Sequence, residues 1–116
     1  MPFDPVYHEE TITRDDLARM EGPVVVEFGA NWCGICGGFS PTLEGLMREF
    51  PQVNHIRIED GRGKPLGRSF RVKLWPTLVF LRDGEVIQQV SRPTPEEARQ
   101  GLEAITVGQA LPDASQ

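Results

Sequence analysis

The feature that most constrains this chain is a pair of cysteines, Cys33 and Cys36, separated by two residues at the point where an apolar run, Val24-Val25-Val26-Glu27-Phe28, gives way to a segment of helical periodicity. A strand leading at once into a helix confines the chain to architectures in which that helix packs back on the sheet. The pair also restricts the chemistry. Two thiols at this spacing in a turn can close a small disulfide, and the N–H groups at a helix start favour a thiolate on the first of them. Two other readings stand beside redox chemistry. One is a zinc half-site, for which only His8 and His55 remain as nitrogen ligands, far apart in sequence. The other is an inert buried pair, against which the flanking Gly34 and Gly37 and the helix start argue.

At 116 residues the chain suits one domain, and 39% hydrophobic content suits one modest core. A single domain is expected over residues 1–107, with residues 108–116, which show no pattern, as a disordered tail. The formal charge of −5 argues against nucleic acid or an anionic membrane as a partner. Charge is uneven, however: Arg57, Arg62, Lys64, Arg68, Arg71, Lys73 and Arg82 fall in one stretch, broken only by Glu59 and Asp60 among acids. That stretch reads either as a solvated basic face or as a docking patch for an acidic partner. No basic start with an apolar run follows Met1, no run approaches the length of a membrane span, and two cysteines do not make a stapled secreted scaffold. A reducing compartment, the cytoplasm, and a monomer with no metal and no cofactor are expected.

Element signals follow in order. Thr13 with Asp16 three residues on reads as a helix start that runs to Gly22-Pro23. Residues 24–28 read as a strand buried on both faces. Phe39, Leu43, Leu46, Met47 and Phe50 recur at helical spacing from Cys33 to about Phe50, with Pro41 as an interior kink. A strand over 53–58 precedes a weak helix carrying Leu66 and Phe70. Strands over 77–81 and 85–90 flank Arg82-Asp83-Gly84, a hairpin signal because Asp-Gly tolerates positive φ. Thr94-Pro95-Glu96-Glu97 opens a last helix with a capping box. The order is α-β-α-β-α-β-β-α: a βαβ half with parallel strands, a hairpin half and a closing helix.

This order and the motif together resemble the thioredoxin family from about Thr13 to Ile105. The resemblance is carried by Phe28-Gly29-Ala30-Asn31-Trp32-Cys33-Gly34-Ile35-Cys36, Ser40-Pro41, Trp75-Pro76-Thr77 and Phe80-Leu81-Arg82-Asp83-Gly84-Glu85. It implies an α/β thioredoxin fold, a mixed sheet of about four strands with helices on both faces. It also implies a thiol–disulfide oxidoreductase acting on protein disulfides and reloaded by a thioredoxin reductase. From the residues themselves, Cys33 at the exposed helix start is the nucleophile and Cys36, one turn in, the resolving thiol. By the resemblance, Trp75-Pro76 is a cis-proline turn facing the dithiol, and Trp32, Gly34, Ile35, Trp75, Pro76 and Ser91 line the substrate groove.

Glu27 is an anomaly, a carboxylate inside an apolar strand. Thioredoxins carry a buried aspartate there, which implies a proton acceptor for Cys36. Buried without a full partner, its pKa should rise. The family's basic partner falls on His55; the other reading has Glu27 reaching solvent and His55 exposed. The sequence departs from the family at Ile35, where thioredoxin has proline, at Gly37, where it has lysine, and at Ser91, where it has glycine, followed by bulky Arg92. A second function class remains, a chaperone or assembly module of the same fold whose groove holds a client. Leu46-Met47-Arg48-Glu49-Phe50-Pro51 with Trp75-Pro76 resembles hydrogenase-maturation thioredoxin-like proteins, which lack the dithiol.

Overall fold

In a computed structural model the described residues are 3–9 and 11–110, and the side chains of 107–110 are left aside. The element order matches the expected one: α1 (Arg14–Ala18), β1 (Pro23–Gly29), α2 (Gly34–Met47), β2 (Asn54–Glu59), α3 (Pro65–Ser69), β3 (Thr77–Arg82), β4 (Glu85–Ser91) and α4 (Pro95–Ala110). Thr13 and Asp16 close the α1 capping box reciprocally, and Thr94 and Glu97 do so for α4, with N···O distances of 2.9 and 3.1 Å. The hairpin between β3 and β4 turns on Asp83 at φ 52° and Gly84 at φ 82°, the paired positive values of a tight two-residue turn. α4 runs to Ala110, past the end expected at 107, since the sequence offers no strong stop before Pro112. The rest of the expected tail, 111–116, lies outside the described residues.

The sheet order is β2-β1-β3-β4, with β1 and β2 parallel and the other two pairs antiparallel. Period-two alternation divides two apolar layers. Val25, Leu78 and Phe80 pack with Leu43, Met47, Leu102 and Ile105 of α2 and α4 on one face. On the other face, Val24, Val26, Phe28, Val79 and Leu81 pack with Leu17 and Leu66 of α1 and α3. Central β1 is buried at all seven positions, as a strand covered on both faces must be. The alternation therefore sends the side chain of Glu27 to the α2 face, and those of His55 and Arg57, two apart on β2, to the same face. Before Thr13 the sequence carries no helical or strand pattern. The N-terminal segment nevertheless lies along the free edge of β2: His8 bridges Ile58, its N–H bonds the Arg57 carbonyl at 3.1 Å, and the Glu59 N–H bonds the His8 carbonyl at 2.7 Å.

Candidate active site

Cys33 is the N-cap of α2. Its backbone is extended (φ −80°, ψ 114°), and its Sγ takes the place of a capping oxygen by accepting the Cys36 N–H at 3.2 Å. A sulfur that receives a helix-terminal N–H sits where negative charge is stabilised. Both cysteines are free thiols, Cys33 half-buried and Cys36 only 1% exposed. Burial first, then the hydrogen bond with Cys33, pushes the Cys36 thiol up to about 11. The pair is thus asymmetric, one sulfur partly exposed at the helix N-cap, the other enclosed and raised to about 11.

Of the expected groove residues, Trp32 meets Trp75, and Ile35 shares a cleft with Pro76. Trp32 (75% exposed) and Ile35 (51% exposed) flank the dithiol. The Trp32 ring meets Trp75 edge-on, with centroids 5.4 Å apart at 72°. The Trp75–Pro76 peptide is cis, as the resemblance implied. Trp75 is not core: it is half-buried, and its Nε1 donates to Asp60 at 2.9 Å. On the other side of Pro76 a small cleft of about 120 Å³ is lined by Ile35, Phe39, Pro76, Arg92 and Pro93. Ser91, the residue before Arg92, is engaged elsewhere, sharing a 2.8 Å hydrogen bond with Thr77. Arg92, at φ 48°, gives its backbone N–H to the Pro76 carbonyl (2.7 Å) and its Nε to the Trp75 carbonyl (2.9 Å). Gly34 lies in open space, so packing does not require its missing side chain.

Behind Cys36 lies a buried polar cluster. Glu27 is fully enclosed, and its Oε1 accepts from His55 Nε2 at 2.8 Å and Arg57 Nε at 3.0 Å. Its Oε2 accepts from the Tyr7 hydroxyl at 2.5 Å and from Arg57 Nη2 at 3.4 Å. The Asp4 N–H faces His55 Nδ1 at 2.9 Å, so that nitrogen accepts and the ring proton on Nε2 faces Glu27. Arg57 also reaches Ser40 Oγ of α2 at 2.5 Å and the Pro5 carbonyl at 3.0 Å, beneath the Phe3 and Tyr7 rings. The Glu27–His55 pair expected from sequence is formed, and the alternative of a solvated Glu27 is not. The expected upward shift of the carboxyl is corrected. Burial alone would raise it, but the His55 hydrogen bond and the Arg57 guanidinium outweigh burial and hold Glu27 below its ordinary value.

Sequence reasoning missed two members of this cluster. Arg57 was counted with the basic stretch, yet it is buried on Glu27; the signal was the alternation of β2, which puts residues 55 and 57 on one face. Tyr7 had no periodic signal at all. It lies between Glu27 and Cys36: a methyl group on Gly29 would stand 2.7 Å from both the Tyr7 hydroxyl and the Cys36 sulfur, so the two are within twice that distance of each other. Glycine at 29 is what lets them meet. Among the described residues, no group of three or more His, Cys, Asp or Glu side chains could hold a metal ion; His8 bonds the Asp4 carboxylate at the surface and His55 accepts from the Asp4 backbone N–H.

The family model for thioredoxin matches residues 5–104. The chain belongs to the thioredoxin family. It is similar to thioredoxin 2 from Pseudomonas aeruginosa PAO1, solved in its reduced form, at 44% identity over 92% of this chain and 99% of that one, with a TM-score of 0.79. A thioredoxin from Halobacterium salinarum NRC-1, solved as a point mutant, shares 27% identity over 90% and 93% of the two chains, with a TM-score of 0.71. A thioredoxin H-type from Ricinus communis is 30% identical over 71% of this chain and 70% of its own. With the fold, the family and the adjacent thiols in place, the protein is a thiol–disulfide oxidoreductase, and its family acts on protein disulfides. No helix among the described residues is long and apolar enough to cross a membrane.

Proposed function

We propose that the chain reduces protein disulfides by a two-cysteine cycle in a reducing compartment such as the cytoplasm, with a thioredoxin reductase as electron donor. The observation that carries this reading is the contrast between the partly exposed sulfur of Cys33 at the helix N-cap and the enclosed one of Cys36. The Cys33 thiolate attacks one sulfur of a substrate disulfide, the substrate S–S bond breaks, and one substrate thiolate leaves. Cys36 then loses its proton and attacks Cys33 Sγ; the mixed disulfide breaks, the second substrate thiolate leaves, and a Cys33–Cys36 disulfide remains. Two electrons have passed to the substrate, and a reductase returns two to the protein.

Magnitudes decide where the Cys36 proton goes. Glu27, held ionised below the ordinary carboxylate value by its donors, is a weak base toward a thiol at about 11. The first substrate thiolate to leave, with an ordinary thiol pKa of about 8.5, is a far closer match and is produced beside the mixed disulfide. In this reading Glu27 is a positioning residue rather than the proton acceptor expected from the resemblance. Its carboxylate accepts the hydrogen bond of the Tyr7 hydroxyl and so turns the phenol oxygen, which lies beside the Cys36 sulfur, into an acceptor. Reduction of insulin with dithiothreitol tests the cycle. Cys33→Ser should abolish turnover, and Cys36→Ser should accumulate a mixed disulfide. Absence of turnover in the unsubstituted protein would instead favour the client-holding class.

A further inference from the structure

The basic stretch noted in the sequence is not one uniform face. Arg57 is spent on Glu27 inside the protein, and Arg82 reaches the Ala104 carbonyl at 3.2 Å. Of the other five, Arg62 is not in the lining, and four surround a cleft of about 510 Å³ next to the dithiol groove, with Lys64 and Arg68 on the α3 side and Arg71 and Lys73 in the loop that follows. Among the described residues none of these four cations makes an ion pair, although the chain carries seventeen acidic residues. The one carboxylate in the wall, Asp60, holds Trp75 Nε1. The loop is fixed at both ends. Phe70 is buried against Phe28, Gln89 Nε2 grips its carbonyl at 2.8 Å, Arg71 turns at φ 60°, and the loop ends at Pro76. Trp75 belongs to both places, lining this cleft and packing on Trp32 beside Cys33.

We propose that this cleft is an accessory substrate site that binds an acidic peptide segment flanking the disulfide under attack. The proposal rests on the thiol–disulfide exchange assigned above. A substrate chain lying against Cys33 and Pro76 and continuing over Trp75 enters the cleft within a few residues. There, carboxylate side chains meet cations that have no internal partners. The volume suits two or three side chains rather than a folded domain. The chain's own charge of −5 repels a long polyanion, so a short acidic segment fits this local positive site better than a nucleic acid does. Acidic residues near the disulfide thereby steer its encounter with the dithiol.

The test uses two synthetic peptides, each with one intramolecular disulfide loop and identical except for tails of Asp-Glu-Asp or Ser-Gln-Ser at both ends. At low salt the acid-tailed peptide should have a kcat/KM about tenfold higher, from several weak ion pairs acting together. The ratio should fall below about twofold in 0.5 M salt as screening shortens the range of the field. Arg68→Ser/Lys73→Ser should bring the ratio close to one, while the same loss of charge in Arg19→Ser/Arg48→Ser should leave it unchanged. Equal kcat/KM for the two peptides, or equal loss of preference in both double variants, overturns the proposal while leaving the redox reading intact. If neither peptide is reduced, that reading fails. The cleft is then judged by binding of the acid-tailed peptide to Cys33→Ser protein, followed through tryptophan fluorescence. A salt-sensitive signal lost in Arg68→Ser/Lys73→Ser supports the site; no signal, or displacement by a short oligonucleotide as readily as by the peptide, overturns it.

Discussion

Replacing Glu27 by Gln removes one charge from a cluster whose members are almost wholly enclosed. The change is nearly isosteric, so packing is kept and the electrostatics alone are altered. A glutamine can still accept from His55 and Arg57 Nε through its carbonyl, but its amide then faces Arg57 Nη2 and Tyr7, where Oε2 had accepted two hydrogen bonds. The guanidinium of Arg57, 3% exposed, loses its counter-charge. Breaking a buried ion pair from one side costs about 3–5 kcal/mol, which for a domain of this size is a fall in Tm of roughly 12–20 °C. The sign of the pH dependence follows from the depressed carboxyl. Its contribution is complete above the unfolded-state value of about 4.3 and is lost as the pH falls through the lower folded value. Urea unfolding at pH 7 should therefore show the full gap between the two proteins, with an unchanged m-value, and at pH 3 the gap should narrow. A cost below about 1 kcal/mol at pH 7, or a gap that does not change between the two pH values, would refute the account of Glu27 as the ionised centre of the cluster.

Three further outcomes are expected. In Cys33→Ser protein, alkylation of Cys36 by iodoacetamide should be negligible at pH 7 and should keep rising toward pH 11, because burial holds the thiol at about 11; a plateau below pH 9 would contradict it. Gly29→Ala drives a methyl into Tyr7 and Cys36 at 2.7 Å and should cost about 1–3 kcal/mol in chemical denaturation. Arg92→Asn, which suits the positive φ, frees the Trp75 carbonyl for an extended substrate and should lower KM for a protein disulfide about two- to fivefold with little change in kcat, because the bond removed is exposed.

The architecture was legible because its signals agree at several levels. The apolar run of β1, the capping boxes at Thr13 and Thr94 and the Asp83-Gly84 turn each fix a boundary locally, and the crossover rule makes the strands of the βαβ half parallel. The dithiol was legible from its spacing taken together with the strand-to-helix junction and the family resemblance, and Glu27 from its misfit within an apolar strand. What could not be read was the company Glu27 keeps. A carboxylate can be identified as buried from periodicity, but whether its pKa rises or falls depends on its donors, here Tyr7, His55 and Arg57, which stand 20, 28 and 30 residues away along the chain. Arg57 looks, in sequence, like its neighbours Arg62 and Lys64, and only strand alternation distinguishes it. Tyr7 is invisible, because segment 3–8 has neither helical nor alternating pattern and gains its place from the edge of β2.

That edge segment has a consequence for local opening. Its backbone bridges the sheet through two hydrogen bonds at His8, Phe3 and Tyr7 form the lid over Arg57, and Asp4, Pro5 and Tyr7 tie it to His55, Arg57, Asn31 and Glu27. Detaching six residues would admit water to the enclosed charges without unfolding the sheet. The redox half of the molecule is thus insulated by a piece held mainly through side-chain hydrogen bonds rather than through a strand ladder. Hydrogen exchange at the His8 and Glu59 amides should report this opening at a lower free energy than exchange in central β1.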